Sequence, residues 1–234
     1  MENFVSAIIV AAGGSTRMGT ADSKQFIPLL GNPAIEYTLK AFQACRYISE
    51  IIIVCREQDS ARIQQIADKH SITKLACLTN GGSSRARSVC NGIDAVSDEA
   101  KFLAIHDGAR PLVTTEEIEK VIETAFETGA ATLGTPVTDT IKIVDDNSQI
   151  VSTPSRSTLR AVQTPQVFDK ELYSFALEKA GSDLDSFTDD CSLIENMGGE
   201  VEVVLGSSEN IKLTTPIDII IAESILNQRK QDKI

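Results

Sequence analysis

Val5-Ser6-Ala7-Ile8-Ile9-Val10-Ala11-Ala12-Gly13-Gly14-Ser15-Thr16-Arg17-Met18-Gly19 decides how the rest of the chain is read. Residues 5–12 form an apolar run, polar only at Ser6, that ends in glycine, the mark of a buried strand. The small residues that follow let backbone N–H groups approach phosphate oxygens closely. The loop is not GxGxxG. Gly14 and Gly19 have the spacing of a Walker A loop, but Thr20-Ala21 stands where that loop needs Lys-Ser/Thr, so a P-loop ATPase is excluded. Arg17 and, a little further on, Lys24 are the available cations. Taken alone, the loop reads equally well as a plain strand–helix turn with two solvated charges.

Outward from this loop, short β-rich runs alternate with amphipathic helices. Asn32-Pro33 is expected to open a helix, with Asn as cap and Pro in the first turn, and Ile35, Leu39 and Phe42 share its inner face. Strands are expected at 51–55, 75–79 and 102–106, and helices at 59–69 and from about Ser84, the latter with Val89, Ile93 and Val96 inward. Thr114 and Glu117 fit a capping box, Ile118, Val121, Ile122 and Ala125 make the stripe behind it, and Gly129 stops that helix. Four such alternations predict an α/β fold, a mostly parallel Rossmann-like sheet covered on both faces. From 137 to 168 the helical stripe disappears. Residues 141–144 and 150–151 flank the turn Asp145-Asp146-Asn147-Ser148, which reads as an arm leaving the core. Helices near 169–180 and 188–197, a strand at 201–205 and a last helix from Pro216 bring the chain back.

A chain of 234 residues suits one large α/β domain. With 22 Lys+Arg against 33 Asp+Glu, the net charge of −11 makes nucleic acid or an anionic membrane a poor partner, and any anionic ligand must meet a local basic cluster. No apolar run is long enough to span a bilayer, and the start lacks a basic region ahead of its apolar stretch. The five scattered cysteines contain no CxxC pair, and only two histidines are present. Reduced thiols and a cytoplasmic location are therefore expected, without a disulfide scaffold or zinc site.

In an open α/β sheet the ligand sits beyond the carboxyl ends of the strands, so residues just after each strand carry the interest. Gly81-Gly82-Ser83-Ser84-Arg85 joins a strand to a helix N-terminus, which suits an anion or a base edge as well as a plain cap; Ser88 lies one turn on. His106-Asp107-Gly108-Ala109-Arg110-Pro111 ends another strand. Asp107 suits a hard cation such as Mg²⁺ or a turn cap, and His106 reads as a hydrogen-bonded structural histidine. Three further polar clusters flank strands, at 135–140, at 163–166 and at 210–214, the last containing Lys212.

In order and spacing, AAGGSTRMG with Lys24-Gln25, GGSSRARSV, HDGARP, TPVTDT, QTPQVF, TDDCS and NIKLTTP together resemble the 2-C-methyl-D-erythritol 4-phosphate cytidylyltransferases of non-mevalonate isoprenoid synthesis. The resemblance runs from Ser6 to about Leu226. It implies one glycosyltransferase-A-like nucleotidyltransferase domain over 1–234, with a protruding β-arm at about 138–163 that interlocks a homodimer. It implies CTP and a polyol phosphate as substrates, and Mg²⁺ or another divalent cation. Carried over, Ala11, Ala12, Gly13 and Gly14 line the nucleotide, and Arg17 and Lys24 neutralise its triphosphate. Gly82, Ser83, Arg85 and Ser88 recognise the cytidine side. Asp107 holds metal and sugar alcohol, while Arg110, Thr140, Arg156, Thr164 and Lys212 surround the polyol phosphate and the reacting α-phosphate. Thr140 and Arg156 lie on the arm and are expected from the partner subunit.

Such a reaction needs no general base, because a phosphate monoester with a second pKa of about 6 is already ionised near neutral pH. Its barrier is the meeting of two anions in line, so positioning and charge neutralisation supply the acceleration. Arg17, Lys24, Lys212 and a cation on Asp107 offer that neutralisation. The rivals are a ribitol-5-phosphate cytidylyltransferase on the same fold and a non-catalytic nucleotide sensor.

Overall fold

The computed structural model describes residues 3–13 and 23–232. β1 (Val5–Val10) lies in the interior of a seven-stranded sheet, and its buried side chains point to both faces. The hairpin β2 (Pro28–Leu29) and β3 (Asn32–Pro33) leads into α1 (Ala34–Ala44), and β4 (Ile48–Cys55) follows, parallel to β1. α2 (Glu57–Lys69), β5 (Leu75–Asn80) and α3 (Arg85–Ile93) take the chain to one sheet edge, and β6 (Phe102–Asp107) returns to the other side of β1. The order of the strands therefore reverses around β1 and β6. This is where the carboxyl ends of an open sheet leave a crevice.

α4 (Thr115–Thr128) has the capping box expected of Thr114 and Glu117, and Gly129 ends it at φ +81°. Ile118, Val121, Ile122 and Ala125 are fully buried. Each of the three larger side chains stabilises the fold by about 1.5–3 kcal/mol relative to exposure. β7 (Ala130–Pro136) follows, then a small hairpin of β8 (Ile143–Val144) and β9 (Ile150–Ser152) that pairs only with itself. Residues 138–162 are exposed except for half-buried Pro154 and Leu159.

β10 (Arg160–Asp169) then enters the sheet between β6 and β7, antiparallel to both. α5 (Lys170–Ala180), α6 (Cys191–Asn196), β11 (Glu202–Leu205) and α7 (Pro216–Gln231) complete the chain. The sheet order is β11-β7-β10-β6-β1-β4-β5, parallel except for β10. α1, α2 and α4 cover one face, α3, α5 and α6 the other, and α7 seals a smaller apolar cluster with Ile27, Leu29 and Leu213.

Two expectations are corrected. Asn32 does not cap α1; it pairs with Leu29 in the β2–β3 hairpin, and Pro33 is the N-cap, without a side-chain bond. Val96 lies beyond α3, which ends at Ile93, although it packs on the same cluster.

Candidate active site

Beyond the carboxyl ends of β1 and β6 lies a cleft of about 450 Å³. Ala11, Ala12 and Gly13 after β1, Lys24, then Gly82, Ser83, Arg85 and Ser88 around the start of α3, Asp107 at the end of β6, and Lys212 all line it. A smaller cleft of about 300 Å³ shares Arg85, Asp107 and Lys212 with it, and adds Arg110, Thr164 and Thr188. Asp107 therefore stands where the two spaces meet. The antiparallel course of β10 explains how Thr164 arrives there, because the amino end of that strand lies beside the carboxyl end of β6.

The turn before α3 is built for close approach. A Cβ on Gly82 would lie 2.5 Å from Arg87 Cβ and 2.8 Å from Arg87 backbone carbon, so only glycine fits against the helix. The Gly82 N–H donates to Ser88 Oγ (3.0 Å), and Ser88 Oγ donates to the Ser84 carbonyl (2.8 Å). Ser88 thus fixes the turn while lining the cleft. Ser84 caps α3 by accepting from the Arg87 N–H (3.1 Å).

Lys24 opens a single 3-10 turn, Lys24–Phe26, whose position is set by buried Asp59 on α2. Asp59 accepts from Ser23 Oγ (2.8 Å) and Gln25 Nε2 (3.0 Å), the two neighbours of Lys24, and from Arg56 Nε (2.8 Å) and Nη2 (3.2 Å). Burial pushes the Asp59 pKa up, but Arg56 and Ser23 outweigh it and hold the carboxyl below its usual range.

Asp107 is the electrostatic centre. Its Oδ2 accepts from Lys212 Nζ at 2.6 Å and its Oδ1 from Arg85 Nε at 3.1 Å. Burial raises its pKa, but Arg85 and Lys212 overcome this and keep it well below the carboxylate range, so Asp107 is an anion. For Arg85, burial acts downward and the carboxylates of Asp190 and Asp107 reverse it, leaving a firm cation. Arg110 donates from Nη1 to the Asn210 carbonyl (2.7 Å), while its Nε is buried without a partner. Burial lowers the Arg110 pKa. Arg110 lines the smaller cleft, and a guanidinium there suits an incoming phosphate oxygen.

His106 is fully buried, and burial pulls its pKa down to about 4 against the opposing pull of Asp107. Its Nε2 lies 3.1 Å from the Arg110 carbonyl, which can only accept, so Nε2 carries the proton. Nδ1 then accepts from Thr164 Oγ1 (3.1 Å), which itself accepts from the Asp107 N–H (3.1 Å). The structural reading of His106 is borne out. Thr164 holds the backbone of Asp107 in place, and its hydroxyl is engaged within the protein.

Among the described residues, no three His, Cys, Asp or Glu side chains gather into a cation cage. Asp107 is the one carboxylate on the larger cleft among the described residues. One carboxylate, with substrate phosphates and water for the remaining positions, is a donor set that Mg²⁺ favours. Thr140 and Arg156 lie away from these clefts within the chain. Both are exposed, and Arg156 Nη1 donates to the Thr138 carbonyl (2.6 Å). Gly14 and Arg17 lie outside the described residues.

Residues 5–228 match the family described as 2-C-methyl-D-erythritol 4-phosphate cytidylyltransferase. The chain belongs to this family. A curated member from Caldanaerobacter subterraneus subsp. tengcongensis is 44% identical over 225 residues, covering 96% of this chain and 99% of its own. Another, from Alkaliphilus metalliredigens, is 44% identical over 227 residues, covering 97% and 94%. Among solved structures, the 4-diphosphocytidyl-2C-methyl-D-erythritol synthase from Anaerococcus prevotii superposes with a TM-score of 0.84 at 33% identity, covering 97% of this chain and 100% of that one. The sequence reading of the family's motifs thus led to the right family. It passed over Asp59, Gln25, Thr188 and Asp190 as site residues. Thr188 and Asp190 lie in the quoted TDDCS segment, so the signal was present without a role attached.

Proposed function

We propose that this chain transfers the cytidylyl group of CTP to 2-C-methyl-D-erythritol 4-phosphate, releasing pyrophosphate and giving 4-diphosphocytidyl-2-C-methyl-D-erythritol. The observation that carries this reading is Asp107 at the junction of a glycine-lined cleft and a smaller Arg110-lined cleft, with Lys212 and Arg85 on its two oxygens. Ala11 to Gly13, Gly82 and Ser83 receive the nucleotide, and Lys24 faces its triphosphate. Arg110 and Lys212 hold the polyol phosphate. An oxygen of that phosphate forms a bond to the α-phosphorus, the bond to the β-phosphate oxygen breaks, and the electron pair leaves with pyrophosphate. The attacking oxygen is already ionised. Neutral His106 has both ring nitrogens occupied and moves no proton. The protein's part is to bring two anions together and balance their charge. Mg²⁺ held by Asp107 would add Lewis-acid neutralisation of the phosphates.

The exposed hairpin supports a homodimer as part of this reading. Ile143, Val144, Ile150 and Val151 are each more than half exposed there, an apolar surface that a second copy covers. Arg156 and Thr140 then reach the partner's polyol cleft. All five cysteines are unpaired, which suits a reducing, cytoplasmic setting. The test is pyrophosphate release from CTP and Mg²⁺ with methylerythritol 4-phosphate or with ribitol 5-phosphate. Release with the first alone is expected. Release with the second alone overturns the substrate, and release with neither overturns the enzyme.

A further inference from the structure

Arg85 reaches the cleft from the first turn of α3, and a long side chain from one helix end has many ways to point. Its direction here is set from behind. Nη2 lies 2.8 Å from Oδ2 of Asp190, while Nε faces Asp107 at 3.1 Å. Asp190 does not line either cleft. It is 2% exposed and fixed in turn on two sides. Tyr173 on α5, 1% exposed, donates its hydroxyl to Oδ1 at 2.7 Å. The Asp190 N–H donates to Gln166 Oε1 at 3.0 Å, and Gln166 Nε2 donates to Asp189 Oδ2 at 2.8 Å, which docks Asp189 and Asp190 on β10. The Tyr173 pKa is raised well above its ordinary value by burial and by Asp190, so the phenol keeps the proton it donates.

Such an arrangement is a poor way to gain stability. A buried ion pair roughly offsets its own desolvation, and an apolar replacement of similar shape often does as well. What it does supply is geometry. Two carboxylates at neighbouring nitrogens of one guanidinium, an ion pair at Nη2 and a hydrogen bond at Nε, restrict where the group can lie, and they share its charge so that Arg85 is not neutralised by Asp107 alone.

We propose that Asp190, held by Tyr173 and Gln166, is a positioning residue that aims Arg85 into the nucleotide cleft. The inference rests on the cytidylyl-transfer reading for what the cleft binds, but not for the geometry. Asp190→Asn keeps the shape and the acceptor for Tyr173, and removes the charge that faces Arg85.

The experiment is a double-mutant cycle on CTP binding, measured by titration calorimetry without the polyol phosphate, over Asp190→Asn, Arg85→Gln and the double variant. Asp190→Asn is expected to weaken CTP about tenfold when Arg85 is present, and less than twofold when Arg85 is already Gln, a coupling of the size seen for residues in one network. An equal loss in both backgrounds, or no loss in either, overturns the proposal, because a merely structural residue acts whatever stands at 85. Tyr173→Phe guards against misfolding of Asp190→Asn. It leaves the charge but frees the carboxylate to turn, and is expected to weaken CTP in the same Arg85-dependent way, by a smaller factor. Loss that does not depend on Arg85 again refutes the idea. CTP binding by the unaltered protein without turnover on any polyol phosphate would count against the transfer reading alone.

Discussion

Lowering the pH charges His106 in the unfolded chain before it does so in the folded one. Its ordinary pKa is 6.5, and burial takes the folded value to about 4. Between these values the unfolded chain binds a proton that the native protein refuses, so stability falls as the pH drops through this window and levels off below it. A gap of about 2.5 pH units, at about 1.4 kcal/mol each, makes roughly 3 kcal/mol from this one side chain. Asp107 and Asp59 work in a separate range. Their folded pKa values are depressed, so their contributions are present above the ordinary 3.8 and are lost as the pH falls below it. The assay is urea unfolding followed by circular dichroism from about pH 7 to about pH 4.5, on the unaltered protein and on His106→Gln. The variant is expected to be the less stable at neutral pH, and the difference is expected to shrink steadily as the pH falls, by up to about 1.4 kcal/mol per unit. Parallel curves would refute the burial argument.

Further outcomes follow from the same geometry. Gly82→Ala puts a Cβ within 2.5 Å of Arg87 Cβ, so the turn must shift; CTP affinity by calorimetry is expected to fall at least tenfold, by about 1.4 kcal/mol or more, with the fold kept. An unchanged affinity would show that the turn does not meet the nucleotide. Asp59→Ala leaves buried Ser23 and Gln25 without their shared acceptor, and each unpaired buried group costs about 1–3 kcal/mol. The loosened Lys24 should lower kcat at least tenfold, about 1.4 kcal/mol, and no further once Lys24 is already Ala. Lys212→Gln removes a cation 2.6 Å from Asp107, and pyrophosphate release is expected to slow about 10²–10³-fold, by analogy with loss of a single transition-state donor. A change of less than about threefold would remove Lys212 from the reaction.

Much of this was legible along the chain. The stripe Ile118, Val121, Ile122 and Ala125, with its capping box and its stop at Gly129, is local chemistry, and local chemistry is what a sequence displays. The glycine turn at 81–82 and the end of β6 were found because parallel sheets put ligands at strand ends. β10 was harder. Gln163-Thr164-Pro165-Gln166 looks like a polar loop, yet all three polar side chains are buried because each finds a distant partner: the Ser207 carbonyl, His106 and Asp189. Asp59 and Asp190 escaped for the same reason. Apart from Arg56, three residues before Asp59, the partners that give these carboxylates a role, Gln25 and Arg85, lie far away in sequence, and no periodicity marks a contact that closes only in the folded chain.

The central claim is that the two clefts meeting at Asp107 bring a polyol phosphate oxygen onto the α-phosphorus of CTP. It is tested most directly with methylerythritol 4-phosphate carrying heavy oxygen throughout its phosphate group, and mass spectrometry of both products. All of the label is expected in the cytidine diphosphate product, including the oxygen that bridges its two phosphorus atoms, and none in pyrophosphate. Label in the pyrophosphate, or a bridge made from unlabelled oxygen, would contradict the account.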